Sequence, residues 1–176
     1  NYLGKDPAGK NPADIEAAAE VLKKVRPDIK RFSPSLIDEL ARGDVCLAVG
    51  NGGDLNMAKK RSEEVGSKVG IEVLTPKGMG FWVESWVIPK DAKNVANAHK
   101  YINYTLQADV AAKNGNFVTY APASKPAREL MQPKYAADPS AFPDDEVRAN
   151  SFVVLPKSRE TVKLQTKLWQ ELKAGQ

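Results

Sequence analysis

The sequence predicts an α/β fold. Strand candidates alternate with helix candidates along the chain. The apolar run Val45-Cys46-Leu47-Ala48-Val49 fits a central strand buried on both faces between helix layers. A glycine-rich loop, Gly50-Asn51-Gly52-Gly53-Asp54, then joins that run to a helix, which is where α/β proteins place ligands.

In chain order, Asn1 to Pro7 reads as the end of a helix whose beginning is absent, with Gly4 at its C-terminal position and Pro7 preventing continuation. Asn11 caps the next helix, with Pro12 at its first position and Ile15, Ala18, Ala19 and Leu22 on its apolar face; it stops before Pro27. Residues 29–32 form a short strand. Ser33 caps a helix over 34–41 that ends at Gly43. After the strand at 45–49, a polar helix runs over 55–65, with strands at 71–74 and 81–88. Helices follow over 94–104 and 107–113, a short extended piece over 117–120, and a short helix over 125–131. A loop rich in Pro and Asp leads to residues 144–150. The last helix, 158–173, carries Val162, Leu164, Leu168, Trp169 and Leu172 as its apolar stripe, with Trp169 in the core.

Composition narrows the function. With 176 residues, 42% of them hydrophobic, the chain can bury a core and is neither a disordered tail nor a disulfide scaffold. No apolar run approaches the roughly 20 residues of a membrane span. The net charge of +4 is interspersed. Its densest clusters, Lys23-Lys24-Val25-Arg26, Lys30-Arg31 and Lys59-Lys60-Arg61, lack the interleaved aromatics of a nucleic-acid surface and read as solvated helix faces. One cysteine, Cys46, and one histidine, His99, make neither an internal disulfide nor a zinc site. His99 reads as a surface residue. The first residue is Asn1 rather than Met, with no signal peptide before it, so the expectation is a processed chain or a piece of a longer one.

Two places carry possible chemistry. Asp54 reads as a helix N-cap, and a carboxylate there can also face a ligand with its second oxygen. In Phe81-Trp82-Val83-Glu84-Ser85-Trp86, a strand puts Trp82, Glu84 and Trp86 on one face. Burying a carboxylate between two tryptophans requires a cation. The alternatives are a solvated or salt-bridged Glu84, or an ammonium pocket with a cation–π face on Trp82. Tyr120, in a loop entering a helix, is either a packed aromatic or a ligand contact.

Gly43-Asp44-Val45-Cys46-Leu47-Ala48-Val49-Gly50, Gly53-Asp54 and Phe81-Trp82-Val83-Glu84-Ser85 through Ile88-Pro89 resemble the bacterial periplasmic polyamine-binding proteins. So do Asp91-Ala92-Lys93-Asn94, Tyr101-Ile102-Asn103-Tyr104, Asp109-Val110, Tyr120-Ala121 and Leu172-Lys173-Ala174-Gly175, in one register from Asn1 to Gln176. These are the putrescine- and spermidine-type solute receptors of ABC importers. The resemblance implies a periplasmic-binding-protein type II-like fold of two α/β lobes, of which this chain matches the carboxyl-terminal half, with the first lobe largely absent. Residues 1–83 would belong to the second lobe, 84–128 would cross back to the first, and 129–176 would return to the second.

By the same resemblance, Asp54 matches an acidic residue that meets one amine and Glu84 the central carboxylate, usually aspartate, of the crossover strand. Trp82 matches an aromatic wall along the aliphatic chain, and Tyr120 an aromatic near the hinge. Asn51 stands where the family commonly has tryptophan, which removes an apolar wall and leaves room for a longer or more polar amine. Cys46 matches a position that in some members pairs with a cysteine upstream. The implied protein is a non-enzymatic periplasmic receptor without a cofactor, whose partners are a polyamine, an ABC permease and the missing amino-terminal lobe, with no nucleic acid and no membrane span. Two other classes stand beside it: an enzyme using Asp54 and Glu84 as an acid–base pair, and a basic module for an anionic partner.

Overall fold

Helix α1 (Pro12–Val25) starts where Asn11 and Pro12 require it to. The Asn11 side chain accepts from the Ala13 N–H at 3.1 Å, satisfying one of the donors orphaned at a helix start. Pro12 takes the first position, where no N–H is needed. The computed structural model describes residues 1–175, which fall into two units. One comprises Asn1–Pro34, Lys77–Trp82 and the chain from Asn150 onward; the other comprises Ser35–Pro76 and Val83–Ala149.

In the first unit, α1 runs into a 3₁₀ turn at Arg26–Asp28, around Pro27. It packs against the last helix, α9 (Arg159–Ala174). Ser158 caps α9 by accepting from the Thr161 N–H at 3.1 Å, and Gly175 ends it in the left-handed conformation, φ 79°. Leu172 is the buried member of the α9 stripe. Arg26 fastens the end of that helix, donating from Nε to the Leu172 carbonyl at 2.8 Å and from Nη2 to the Lys173 carbonyl at 3.2 Å. A cation suits the partly negative carbonyl end of a helix. The same guanidinium lies 5.4 Å from the Phe32 ring centre, and Phe32 meets Trp169 edge-on at 5.2 Å. Trp169 therefore corrects the expectation of a core residue: it is 46% exposed and covers Phe32 from outside. At the other end of the unit, Gly4 (φ 66°) closes a turn by donating to the Asn1 carbonyl, in place of the expected end of a helix.

The second unit is helical. α2 (Leu36–Arg42), closed by Gly43 in the left-handed region, packs on α3 (Gly52–Glu64). Leu40, Ala41 and Ala58 are buried there, and Arg61 of α3 pairs with Asp38 of α2. Next come α4 (Val95–Thr105), α5 (Ala108–Val118), α6 (Lys125–Glu129), α7 (Pro133–Ala136) and α8 (Asp145–Asn150), the last ending at the edge of the unit. Ala112, Ala127 and Met131 form a small core, flanked by Tyr135 and Phe142. Trp86 lies edge-on to Tyr101 of α4 at 5.4 Å. The predicted helices follow in the expected order with boundaries moved by a few residues, α2 starting after Ser35 rather than Ser33; α7 and α8 form where a loop and an unassigned stretch were expected.

The expected strands are the main correction. Among the described residues the sheet consists of β1 (Gly80–Phe81) and β2 (Phe152–Val153), parallel, with Gly80 opposite Phe152 and Phe81 opposite Val153. Residues 29–32, 45–49, 71–74 and 82–88 form no ladder. The run at 45–49 is not buried on both faces: Leu47 is 89% and Val49 97% exposed. A strand is stable only when a neighbouring strand takes up its backbone hydrogen bonds and a layer covers its side chains, and among the described residues none of these segments pairs in a ladder. The expected extended piece at 117–120 is instead the last turn of α5 followed by Thr119 in the left-handed region. No helix among the described residues is long and apolar enough to cross a membrane.

Candidate functional site

The site is built where α3 begins and α5 ends. Asp54 does not cap α3. The helix starts earlier, at Gly52, with Asn51 in the N-cap position, so Asp54 becomes the third helical residue. That placement frees both its oxygens for other contacts. Oδ1 accepts from the Tyr120 hydroxyl at 3.0 Å, and Oδ2 accepts from the Asn51 side-chain amide at 3.4 Å. A carboxylate in the first turn also lies at the positive end of the helix dipole.

Tyr120 reaches Asp54 because Thr119 turns the chain. α5 ends at Val118, and Thr119 takes the left-handed conformation, φ 59°, donating its N–H to the Gly115 carbonyl at 2.8 Å. Its hydroxyl lies 2.8 Å from the Gly53 carbonyl and 2.7 Å from that of Val118. The Tyr120 ring then lies flat against Gly53, so close that a Cβ there would sit 2.0 Å from ring carbons. Only glycine leaves room for that approach.

The Tyr120 phenol is pushed up from 10.0 to about 12. Partial burial is the largest cause, followed by the hydrogen bond to Asp54 and its negative charge, and the charge of Glu84 acts in the same direction. Two carboxylates thus bear on one aromatic hydroxyl. Glu84 and Tyr120 are both exposed to solvent, Tyr120 to 37%. Trp82, 45% exposed, ends the Lys77–Trp82 segment of the first unit. The structure therefore joins Asn51, Asp54 and Tyr120 through hydrogen bonds and adds Glu84 through its charge. His99 is exposed on α4, and Cys46 is an exposed free thiol.

Sequence reasoning missed two participants. Gly53 belonged to the glycine-rich loop where a ligand was expected, but nothing local named the ring that approaches it. Thr119 carried no signal at all, since a β-branched residue is a poor candidate for positive φ. Nearby, the Lys60 ammonium donates to the Asn116 and Phe117 carbonyls at 3.5 and 3.4 Å and lies 5.5 Å from the Phe117 ring centre, bracing the end of α5 from α3.

With that geometry in hand, similarity to known proteins is informative. Residues 1–143 match the family described as bacterial extracellular solute-binding protein. A putrescine-binding periplasmic protein of Escherichia coli is 35% identical over 178 residues, covering 99% of this chain and 48% of the relative. A putrescine-binding periplasmic protein of Pseudomonas aeruginosa is 32% identical over 177 residues, again covering 99% of this chain and 48% of the relative. Among solved structures, a spermidine/putrescine ABC transporter substrate-binding protein from Streptococcus pneumoniae shares the fold with a TM-score of 0.73 at 23% identity, over 98% of this chain and 52% of that one. The chain thus spans about half the length of the curated relatives it matches. On the family match and this shared fold, the chain belongs to the bacterial extracellular solute-binding proteins.

Proposed function

We propose that this chain is the carboxyl-terminal portion of a periplasmic receptor that binds a polyamine of the putrescine or spermidine class and delivers it to an ABC importer. The observation that carries the reading is the pair of carboxylates, Asp54 and Glu84, acting on the Tyr120 hydroxyl. A polyamine is an apolar chain with ammonium groups, and it needs fixed anions beside flat aromatic walls. Asp54 and Glu84 would receive the amines. Tyr120 and Trp82 would line the aliphatic stretch, and Asn51 would replace one wall by an amide. The names of the relatives point the same way.

Residues 1–83 and 129–176 would belong to one lobe and 84–128 to the other, whose remainder corresponds to the half of the relatives outside the match. That remainder would supply the opposite wall, and closure of the lobes would present the loaded state to a permease. The receptor reading is preferred to an acid–base enzyme because both Asp54 oxygens are already engaged, by Tyr120 and by Asn51.

The test is calorimetry with putrescine and spermidine on the chain joined to its amino-terminal lobe. Asp54→Asn and Glu84→Gln should each weaken binding by about tenfold or more, as expected for loss of a charge-assisted hydrogen bond. Unchanged affinity in both variants would sink the site; binding of some other solute in place of every polyamine would sink the ligand class.

A further inference from the structure

We propose that Thr119 is a positioning residue: its left-handed backbone and its hydroxyl on the Gly53 carbonyl seat the Tyr120 ring on α3 and aim the phenol at Asp54. Thr119 is buried, 3% exposed, and is the described non-glycine residue with positive φ. Such a conformation is unfavourable for a β-branched side chain and persists only where surrounding contacts over-determine it. Those contacts are present. The backbone N–H is held by Gly115, and the hydroxyl lies 2.8 Å from the carbonyl of Gly53, the residue on which the Tyr120 ring rests. One side chain therefore ties the C-terminal cap of α5 to the first turn of α3, between the two residues that carry the hydroxyl–carboxylate contact.

The physical consequence is preorganisation. With the ring fixed on Gly53, the Tyr120 hydroxyl holds Asp54 Oδ1 while Asn51 holds Oδ2. The carboxylate is oriented before any ligand arrives, and the cost of ordering it is removed from binding. Strain at Thr119 is thus spent on an acceptor of fixed direction. This inference rests on the proposed reading of Asp54 and Tyr120 as ligand contacts only for its effect on affinity; the seating of Tyr120 stands apart from any ligand.

The experiment separates the two. The Tyr120 phenol is titrated by tyrosinate absorbance, the other four of the five tyrosines being subtracted with Tyr120→Phe. Thr119→Gly suits the backbone and removes the hydroxyl; Thr119→Ala removes the same hydroxyl and keeps Cβ, giving a second reading where the first variant fails to fold; Thr119→Ser keeps the hydroxyl. The phenol should fall from about 12 toward 10.0 in Thr119→Gly and Thr119→Ala, with circular dichroism unchanged, and stay high in Thr119→Ser. A phenol unmoved by loss of the hydroxyl overturns the proposal. In the two-lobe protein, putrescine affinity should drop by about tenfold in Thr119→Gly and recover in Thr119→Ser. A shifted phenol with unchanged affinity overturns the functional half. Absence of putrescine binding in the unmodified protein counts against the receptor reading, and the phenol titration still decides for Thr119.

Discussion

Gly53→Ala isolates the closest approach in the site. An ideal Cβ at Gly53 lies 2.0 Å from Tyr120 Cδ2 and Cε2 and 2.4 Å from Cζ. Non-bonded carbons settle at about 3.5 Å or more, so the ring must retreat by about 1.5 Å. The hydroxyl now sits 3.0 Å from Asp54 Oδ1, and a retreat of that size takes it out of hydrogen-bond reach. Two effects oppose each other. Gly53 has no positive φ and lies inside α3, so alanine gains helix propensity of up to about 1 kcal/mol. Against this stands overpacking, typically about 1–3 kcal/mol, and α3 cannot simply back away because Thr119 holds the Gly53 carbonyl. We expect a net destabilisation of about 1 kcal/mol in urea unfolding, together with a phenol that titrates back toward 10.0. In a Tyr120→Ala background the clash vanishes, and the same Gly53→Ala change should stabilise. A Gly53→Ala protein at least as stable as the parent, with its phenol still near 12, would refute the seating of the ring.

Tyr120 also makes stability depend on alkali. Its folded phenol lies above the ordinary 10.0, so folding favours the protonated form. That contribution is fully present below pH 10 and is lost as pH rises from 10 through about 12; urea midpoints across this window should fall more steeply in the parent than in Tyr120→Phe. At the other unit, Asn11→Ala and Ser158→Ala each remove a helix cap and should each cost about 1 kcal/mol in denaturant unfolding; a loss below a few tenths at either position would show that water replaces the cap without penalty.

The helices were legible because their signals are local. Asn11 before Pro12, Gly43 after α2 and Ser158 before α9 each act within one turn. Strand formation is not local. The run at 45–49 has the composition of a central strand, yet composition supplies no partner, and it pairs with no strand among the described residues. Trp169 shows a similar limit: helical spacing put it on the apolar stripe, but the width of that stripe left the large ring at its rim, against Phe32. For the site, Asp54 and Tyr120 were identifiable by resemblance. Their contact depends on where α3 starts, and moving the cap from Asp54 to Asn51 turned an expected backbone partner into a side-chain acceptor. Thr119 was beyond reach, because positive φ in a β-branched residue is imposed by tertiary contacts.

The uncovered run at 45–49 has a colloidal consequence. Val45, Leu47 and Val49 supply apolar side chains without a charge or proline among them, and two of the three lie almost wholly in water. Short uncharged segments of this kind are templates for strand pairing between molecules. Asp44 is the gatekeeping charge immediately before the run, and a net charge of +4 gives only modest mutual repulsion. Chains in this state therefore carry their own route to aggregation, one whose rate climbs with concentration and which anything covering residues 45–49 would close.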